Sequence, residues 1–179
     1  MAIPALDCED LPEPCCDSLY SIAAHLLAEG LAALGDCCPA GCEELAGYVT
    51  MGVGDDGITD ALTVTVTSIA SSAGTVPGSM GLYRATFDVR LRESGWPTAY
   101  SDGSGIVLPS PSFQLAAARY MFSRGETLHR RLAYLASSRS LTPSGVRCSN
   151  GSVGILTPLF PAGGVVGWTT PVTIDLPWG

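Results

Sequence analysis

Two stretches decide the fold: LTVTVTSI at 62–69 and LYRATFDVRLR at 82–92. In the first, Leu62, Val64 and Val66 alternate with Thr63, Thr65 and Thr67. In the second, Tyr83, Ala85, Phe87, Val89 and Leu91 alternate with Arg84, Thr86, Asp88, Arg90 and Arg92. A period of two puts successive side chains on opposite faces of a strand. The turn-rich SSAGTVPGSMG lies between the two runs. The pair therefore reads as a long antiparallel hairpin with one buried apolar face and one polar face.

An apolar sheet face needs a cover, and two helical patterns supply it. From Cys15 the apolar residues recur as Cys15/Cys16, Leu19, Ile22/Ala23, Leu26/Leu27, Leu31 and Leu34, a single stripe of about five turns. Pro14 suits a first helical position, Glu13 and Asp17 suit the positive end of the dipole, and Gly35 is the expected stop. Farther on, Ser110-Pro111 is a cap-and-first-turn signature. It predicts a second helix over about 112–137, with Phe113, Ala117, Tyr120, Leu128, Leu132 and Leu135 as core positions, Gly125 as a kink, and Arg130, Arg131 and Arg139 near the negative pole.

The remaining elements fall around these. A short strand is expected at 45–53 after the turn that begins CPAGC, and GDDGITD is a loop. ESGWPTAYSDGSGIVLPS at 93–110 is a long Gly/Pro/Ser-rich loop, of the kind that is functional or mobile in compact domains. Closing strands are expected near 153–156, 165–169 and 172–176. The 179 residues, 46% hydrophobic, suffice for one domain. Its parts are an extended acidic arm (1–13), an α+β core (14–137) and a Gly/Pro-rich tail (138–179). The expected class is α+β, a mainly antiparallel sheet packed by two helices.

Charge is unevenly placed. Residues 1–60 hold twelve acids and no base; the rest hold nine arginines and five acids, for a formal net charge of −8. There is no lysine. Such a balance repels phosphates and argues against nucleic-acid binding. It also makes the chain self-complementary, since an acidic surface on one copy can meet a basic one on another. No run of 18 apolar residues reads as a membrane span, and the N-terminus lacks the basic and apolar regions of a secretory signal.

Candidate chemistry is thin. Five of the seven cysteines stand in EPCC (13–16) and GDCCPAGC (35–42), which flank the first helix. A continuous helix of that length spans about 33 Å, so the doublets cannot share an ion or a disulfide. Cys37, Cys38 and Cys42 with Cys148 could be assembled into a four-thiolate site, but the C-x2-C knuckle of structural zinc sites is absent. A Cys38–Cys42 disulfide is a second option. Reduced, buried thiols are the leading reading. The two histidines, His25 and His129, fall on expected helices, and no nucleophile elbow is present. GVGDDG at 52–57 lacks the residues of a phosphate or calcium loop and reads as a turn. No catalytic, cofactor or metal residues are assigned, and no enzyme activity is expected.

The aromatics are more informative. Trp96, Tyr100, Trp168 and Trp178 fall in expected loops or the tail, outside the periodic core positions. Large aromatics in such places are either contacts with another chain or padding for the same-chain core. With Arg84, Arg90 and Arg92 on the polar face of the hairpin, they are the candidate interaction residues.

Taken as a layout, CCDSLYSIAAHLL, the LTVTVTSI–LYRATFDVRLR hairpin, the Gly/Pro-rich loop, PSPSFQLAAARYMF…LHRRLAYLASS and PLFPAGGVVGWTTPVTIDL resemble the tail terminator proteins of long-tailed, siphovirus-type phages. The likeness covers about three quarters of the chain; the acidic arm, the cysteines at 37–42 and SLTPSGVRCSNG depart from it. The resemblance implies a virion protein of the tail and neck, assembled in the host cytoplasm. It implies a ring, usually of six copies, that caps the tail tube and meets the head-tail connector or stopper protein. DNA would pass through the lumen without specific binding, and no membrane or cofactor is involved. The neighbouring role of connector or stopper is the alternative within that class; a small cysteine-based metal-binding or enzymatic domain is the alternative outside it.

Overall fold

The computed structural model describes residues 18–36, 45–51, 58–72, 82–94, 96–101, 103, 105–148, 150–162 and 164–177. Helix α1 (Ser18–Asp36) is followed by β1 (Ala46–Met51), β2 (Ala61–Ser72), β3 (Leu82–Glu93) and a two-stranded pair, β4 (Tyr100–Ser101) and β5 (Ile106–Val107). Helix α2 (Pro111–Ser137) leads to β6 (Asn150–Val153), β7 (Thr157–Ala162) and β8 (Val165–Pro177). The main sheet runs β1-β2-β3-β8-β6, with β7 also paired to β8. Only β1 and β2 are parallel; the other pairs are antiparallel. The fold is α+β.

The hairpin forms as its alternation requires. Leu62 faces Leu91, Val64 faces Val89 and Val66 faces Phe87. The same face of β3 continues into β8, with Phe87 opposite Val172 and Ala85 opposite Ile174. Ile22, Leu26 and Leu34 of α1 and Leu128, Leu132 and Leu135 of α2 close over this face as one core. Each such side chain contributes about 1.5–3 kcal/mol when fully buried. Helix α1 reaches the sheet through Gly30, where a Cβ would stand 2.6 Å from a Leu62 methyl.

The polar face of the hairpin is less open than the sequence predicts. Thr63 and Thr65 are each only 3% exposed. They lie on a strand flanked on both sides, with Tyr48 and Thr50 of β1 and Arg90 and Asp88 of β3 opposite them. The Thr50 and Thr65 hydroxyls hydrogen-bond at 2.6 Å. Beyond a bulge between Val66 and Ser68 the strand becomes exposed.

Other expectations need correction. The strands expected at 165–169 and 172–176 are one strand, β8, and it runs through Pro171. The Pro171 carbonyl accepts from the Gly154 N–H at 2.8 Å. Within a strand a residue's N and O point the same way, so the missing N–H faces the gap between β6 and β7 and leaves the pairing with β3 intact. The loop expected at 93–110 contains β4 and β5, and β3 takes in its first residue. Helix α1 continues past Gly35 to Asp36, while its expected start at Pro14, with Glu13 and Asp17, lies outside the described residues. By length and hydropathy alone α1 could cross a membrane; here Ile22, Ala23, Leu26 and Leu34 give it the apolar stripe of a core helix.

Helix α2 starts where its cap predicts: the Ser110 Oγ accepts from the Phe113 N–H, and Pro111 occupies the first turn. Its core residues are Met121, Arg124, Gly125, Leu128, Leu132 and Leu135. Phe113 and Tyr120, expected inside, are 56% and 40% exposed, and Ala117 is half-buried. The helix is unbroken through Gly125. Its last turn carries no base: Arg131 instead pairs with Glu29 of α1, and Arg130 pairs with Glu126 one turn earlier.

Candidate functional site

The candidate residues separate onto two sides of the sheet. Arg84, Arg90 and Arg92 share the face away from the helices. There Arg84 donates from Nε to Asp175 Oδ1 at 2.8 Å and from its terminal nitrogen to Oδ2 at 3.1 Å. Arg90 donates to Asp88 at 2.8 and 3.2 Å, and Asp88 also accepts from the Thr169 hydroxyl at 3.3 Å. Asp175 comes from β8 and Asp88 from β3 itself, so the arginine row is largely charge-compensated within the sheet.

Trp96 and Trp168 meet on the helix side, 72 positions apart in the chain. Trp168 is not in a loop. It stands in β8 opposite Leu91, with its Nε1–H donating to the Met121 carbonyl at 2.8 Å. Gly125 lies so close over the indole that a Cβ would approach Nε1 to 2.6 Å. This contact is why glycine occupies the middle of α2. Trp96 follows β3 and is held by its N–H donating to the Gly164 carbonyl at 2.9 Å. With Phe122, Met121 and Leu159 the two tryptophans line an open apolar cavity of about 200 Å³. The Phe122 and Trp168 rings are tilted at 52° with centroids 5.6 Å apart, a favourable aromatic geometry. Trp168 pads the core with one edge and lines the cavity with the other. Tyr100 has its backbone in β4; Trp178 lies outside the described residues.

One constellation carries no local signal in the sequence. Glu93 and Arg124 are 7% and 3% exposed and form an ion pair at 2.6 Å. Glu93 extends the inward series of β3 by one step, so its parity alone points it into the molecule. Arg124 also donates to the Leu34 carbonyl at 3.3 Å, meeting the negative end of α1, and its guanidinium lies 5.4 Å from the Tyr120 ring centre. Burial pushes the Glu93 carboxyl above its ordinary value, with Arg124 pulling the other way. Burial and the Glu93 charge raise the Tyr120 phenol as well. The pair ties β3, α2 and α1 together at one end of the sheet. Nearby, Asp60 adopts φ 54° and its carboxylate accepts from the Ser94 N–H at 2.7 Å and the Ser94 hydroxyl at 2.6 Å. These bonds lower its pKa.

The first half of α2 buries little. Phe113, Leu115 and Phe122 are exposed, as are Ile106 and Leu108 just before the helix. Leu115, Ala118 and Phe122 follow helical spacing and lead along one flank of α2 into the tryptophan cavity. Among the described residues this flank is an exposed apolar surface.

Of the cysteines only Cys148 is described, as an exposed free thiol whose pKa burial raises. The doublets and the Cys37, Cys38 and Cys42 group lie outside the described residues. Among the described residues no three His, Cys, Asp or Glu side chains gather as a metal site. His25 Nε2 donates to the Ser140 carbonyl at 2.9 Å, a structural link between α1 and the end of α2. Comparison with protein-family models and with curated proteins finds no match to this chain.

Proposed function

We propose that this chain is a structural protein of a long-tailed phage, a ring-forming tail terminator that caps the tail tube and joins it to the neck. The observation that carries the reading is the exposed apolar flank of α2 running into the Trp96–Trp168 cavity, because an apolar surface of this kind marks an interface. A surface at one edge of the sheet suits a subunit with two unlike sides that meet head to tail and close. The charge balance agrees with a DNA-passing lumen: duplex DNA carries one negative charge per about 1.7 Å, and a net charge of −8 with no lysine gives it little to adhere to. The partners on this reading are further copies of the chain, the tail tube protein and the head-tail connector or stopper protein.

The test is to add the purified chain to polymerising tail tubes and image their ends. Capped tubes of fixed length are expected. Tubes that grow unchecked, with the chain absent from their ends, would overturn the reading.

A further inference from the structure

We infer that Asn150 is a site of spontaneous covalent modification, its side-chain amide lost through attack by the Gly151 nitrogen whenever edge strand β6 opens. The reaction needs no partner chain. Asn150 is the chain's only asparagine, and a glycine follows it. It is exposed, as the first residue of β6.

The chemistry takes two residues and water. The Gly151 N–H gives its proton to solvent as its nitrogen bonds to the Asn150 Cγ. The Cγ–Nδ2 bond breaks and ammonia leaves. Water then opens the five-membered imide at either carbonyl. One opening gives aspartate at 150. The other gives isoaspartate, in which the main chain runs through Cγ and gains a methylene. Attack within the same chain is favoured by proximity, and glycine has no side chain to obstruct its own nitrogen. The fold also requires that glycine: a Cβ at Gly151 would stand 2.5 Å from a methyl of Leu141, which is 2% exposed in the core. Packing on the helix side thus fixes the residue that makes its neighbour labile.

The strand decides when the ring can close. Extended backbone, with ψ about +135°, turns the Gly151 nitrogen away from the Asn150 Cγ, so closure waits for β6 to leave β8. Strand β6 has only 4 residues, and among the described residues it is paired on one side alone, to β8. Short edge elements open at less free energy than the whole fold. What holds β6 is Val153 packed on the core, the Gly154 N–H donating to the Pro171 carbonyl at 2.8 Å, and the Cys148 thiol donating to the Asn150 carbonyl at 3.1 Å.

The product does not fit back. Asn150 is the register partner of Asp175, which is 9% exposed and holds Arg84 at 2.8 Å. Like charges directly opposite one another destabilise a strand pair, and aspartate at 150 sets a second carboxylate against Asp175. Isoaspartate goes further, because its extra backbone atom breaks the alternation that sends Gly151 to Leu141 and Val153 to the core. The change is one-way, so this edge of the sheet loosens with age.

The test is to incubate the folded chain in mildly alkaline buffer, beside the same chain unfolded in urea, and to follow intact mass and isoaspartate at 150 by peptide mapping. The folded wild type is expected to exchange one amide for an acid at 150, several-fold more slowly than the unfolded chain. Asn150→Gln should exchange none there over the same time. Val153→Ala, which loosens β6, should react several-fold faster than the wild type; should it lose its fold by circular dichroism, sub-denaturing urea on the wild type takes its place with the same expectation. Asn150→Asp should melt below Asn150→Gln at neutral pH. A folded chain that keeps its amide while the unfolded chain is fully converted overturns the inference. A Val153→Ala rate equal to that of the wild type overturns the gating by β6, and equal melting of the two Asn150 variants overturns the clash with Asp175.

Discussion

The two halves of α2 share one helix and obey different rules. From Met121 onward, Met121, Arg124, Gly125, Leu128, Leu132 and Leu135 are buried on the sheet and on α1. Before Met121 no residue of the helix is buried, though Phe113, Leu115 and Tyr120 are as large and apolar as anything in the second half. Helical spacing is the same throughout. What differs is whether a partner lies opposite: the sheet and α1 cover one half, and the same chain offers the other half only a cavity wall. A stripe of apolar residues therefore records spacing and not cover, and among the described residues only the second half of this one is covered.

That contrast can be attacked at graded strength. The strongest blow falls where the halves meet. Arg124→Ala leaves Glu93 buried without its counter-charge and should cost about 3–5 kcal/mol, read as a large drop in the denaturation midpoint. Leu132→Ala, in the covered half, should cost about 2–5 kcal/mol through the cavity it opens. Gly125→Ala drives a methyl into the Trp168 indole and should cost about 1–3 kcal/mol, with a change in tryptophan fluorescence that reports the displaced ring. Asp60 anchors the Ser94 turn beside Glu93, and its folded-state pKa lies below the ordinary 3.8. A lowered carboxyl pKa stabilises above the unfolded value and ceases to do so as pH falls through the folded value. Asp60→Asn, which keeps a side chain that tolerates the left-handed backbone at φ 54°, should therefore lower the melting temperature slightly at pH 7 and leave it nearly unchanged well below pH 3. An equal loss at both would contradict the ionised contact. The smallest effect is expected in the uncovered half: Leu115→Ala should move stability by less than about 0.5 kcal/mol while weakening assembly. A large loss of stability there would erase the distinction between the halves.

Much of the fold is legible because it is periodic. The alternation at 62–66 and 83–91 gives the hairpin, and Ser110-Pro111 marks the start of α2 to within a residue. What escapes is non-local or local in a misleading way. Pro171 reads as a strand break; only the gap between β6 and β7 opposite it makes an uninterrupted β8 possible. Nothing in the sequence places β8 between β3 and β6. Phe113 and Tyr120 match the helical period, which records spacing and not the length of sheet available to cover them. Glu93 continues the parity of β3, but the Ser, Gly, Trp and Pro that follow it read as loop and mask that continuation. The candidate site was half legible: Trp96 and Trp168 stand out as large aromatics away from the periodic positions, yet their meeting depends on β8 lying beside β3. The arginines of β3 were legible as a row, whereas their neutralisation by Asp88 and Asp175 required the register.

The most direct measurement is the mass of the wild-type chain across a wide concentration range by light scattering, with images of the particles. On the proposed ring reading the head-to-tail contacts close, so one discrete mass that stops growing with concentration, and an annular outline with an open centre, are expected. A chain that remains monomeric at every concentration, alone and at tail-tube ends, is incompatible with an edge-to-edge ring.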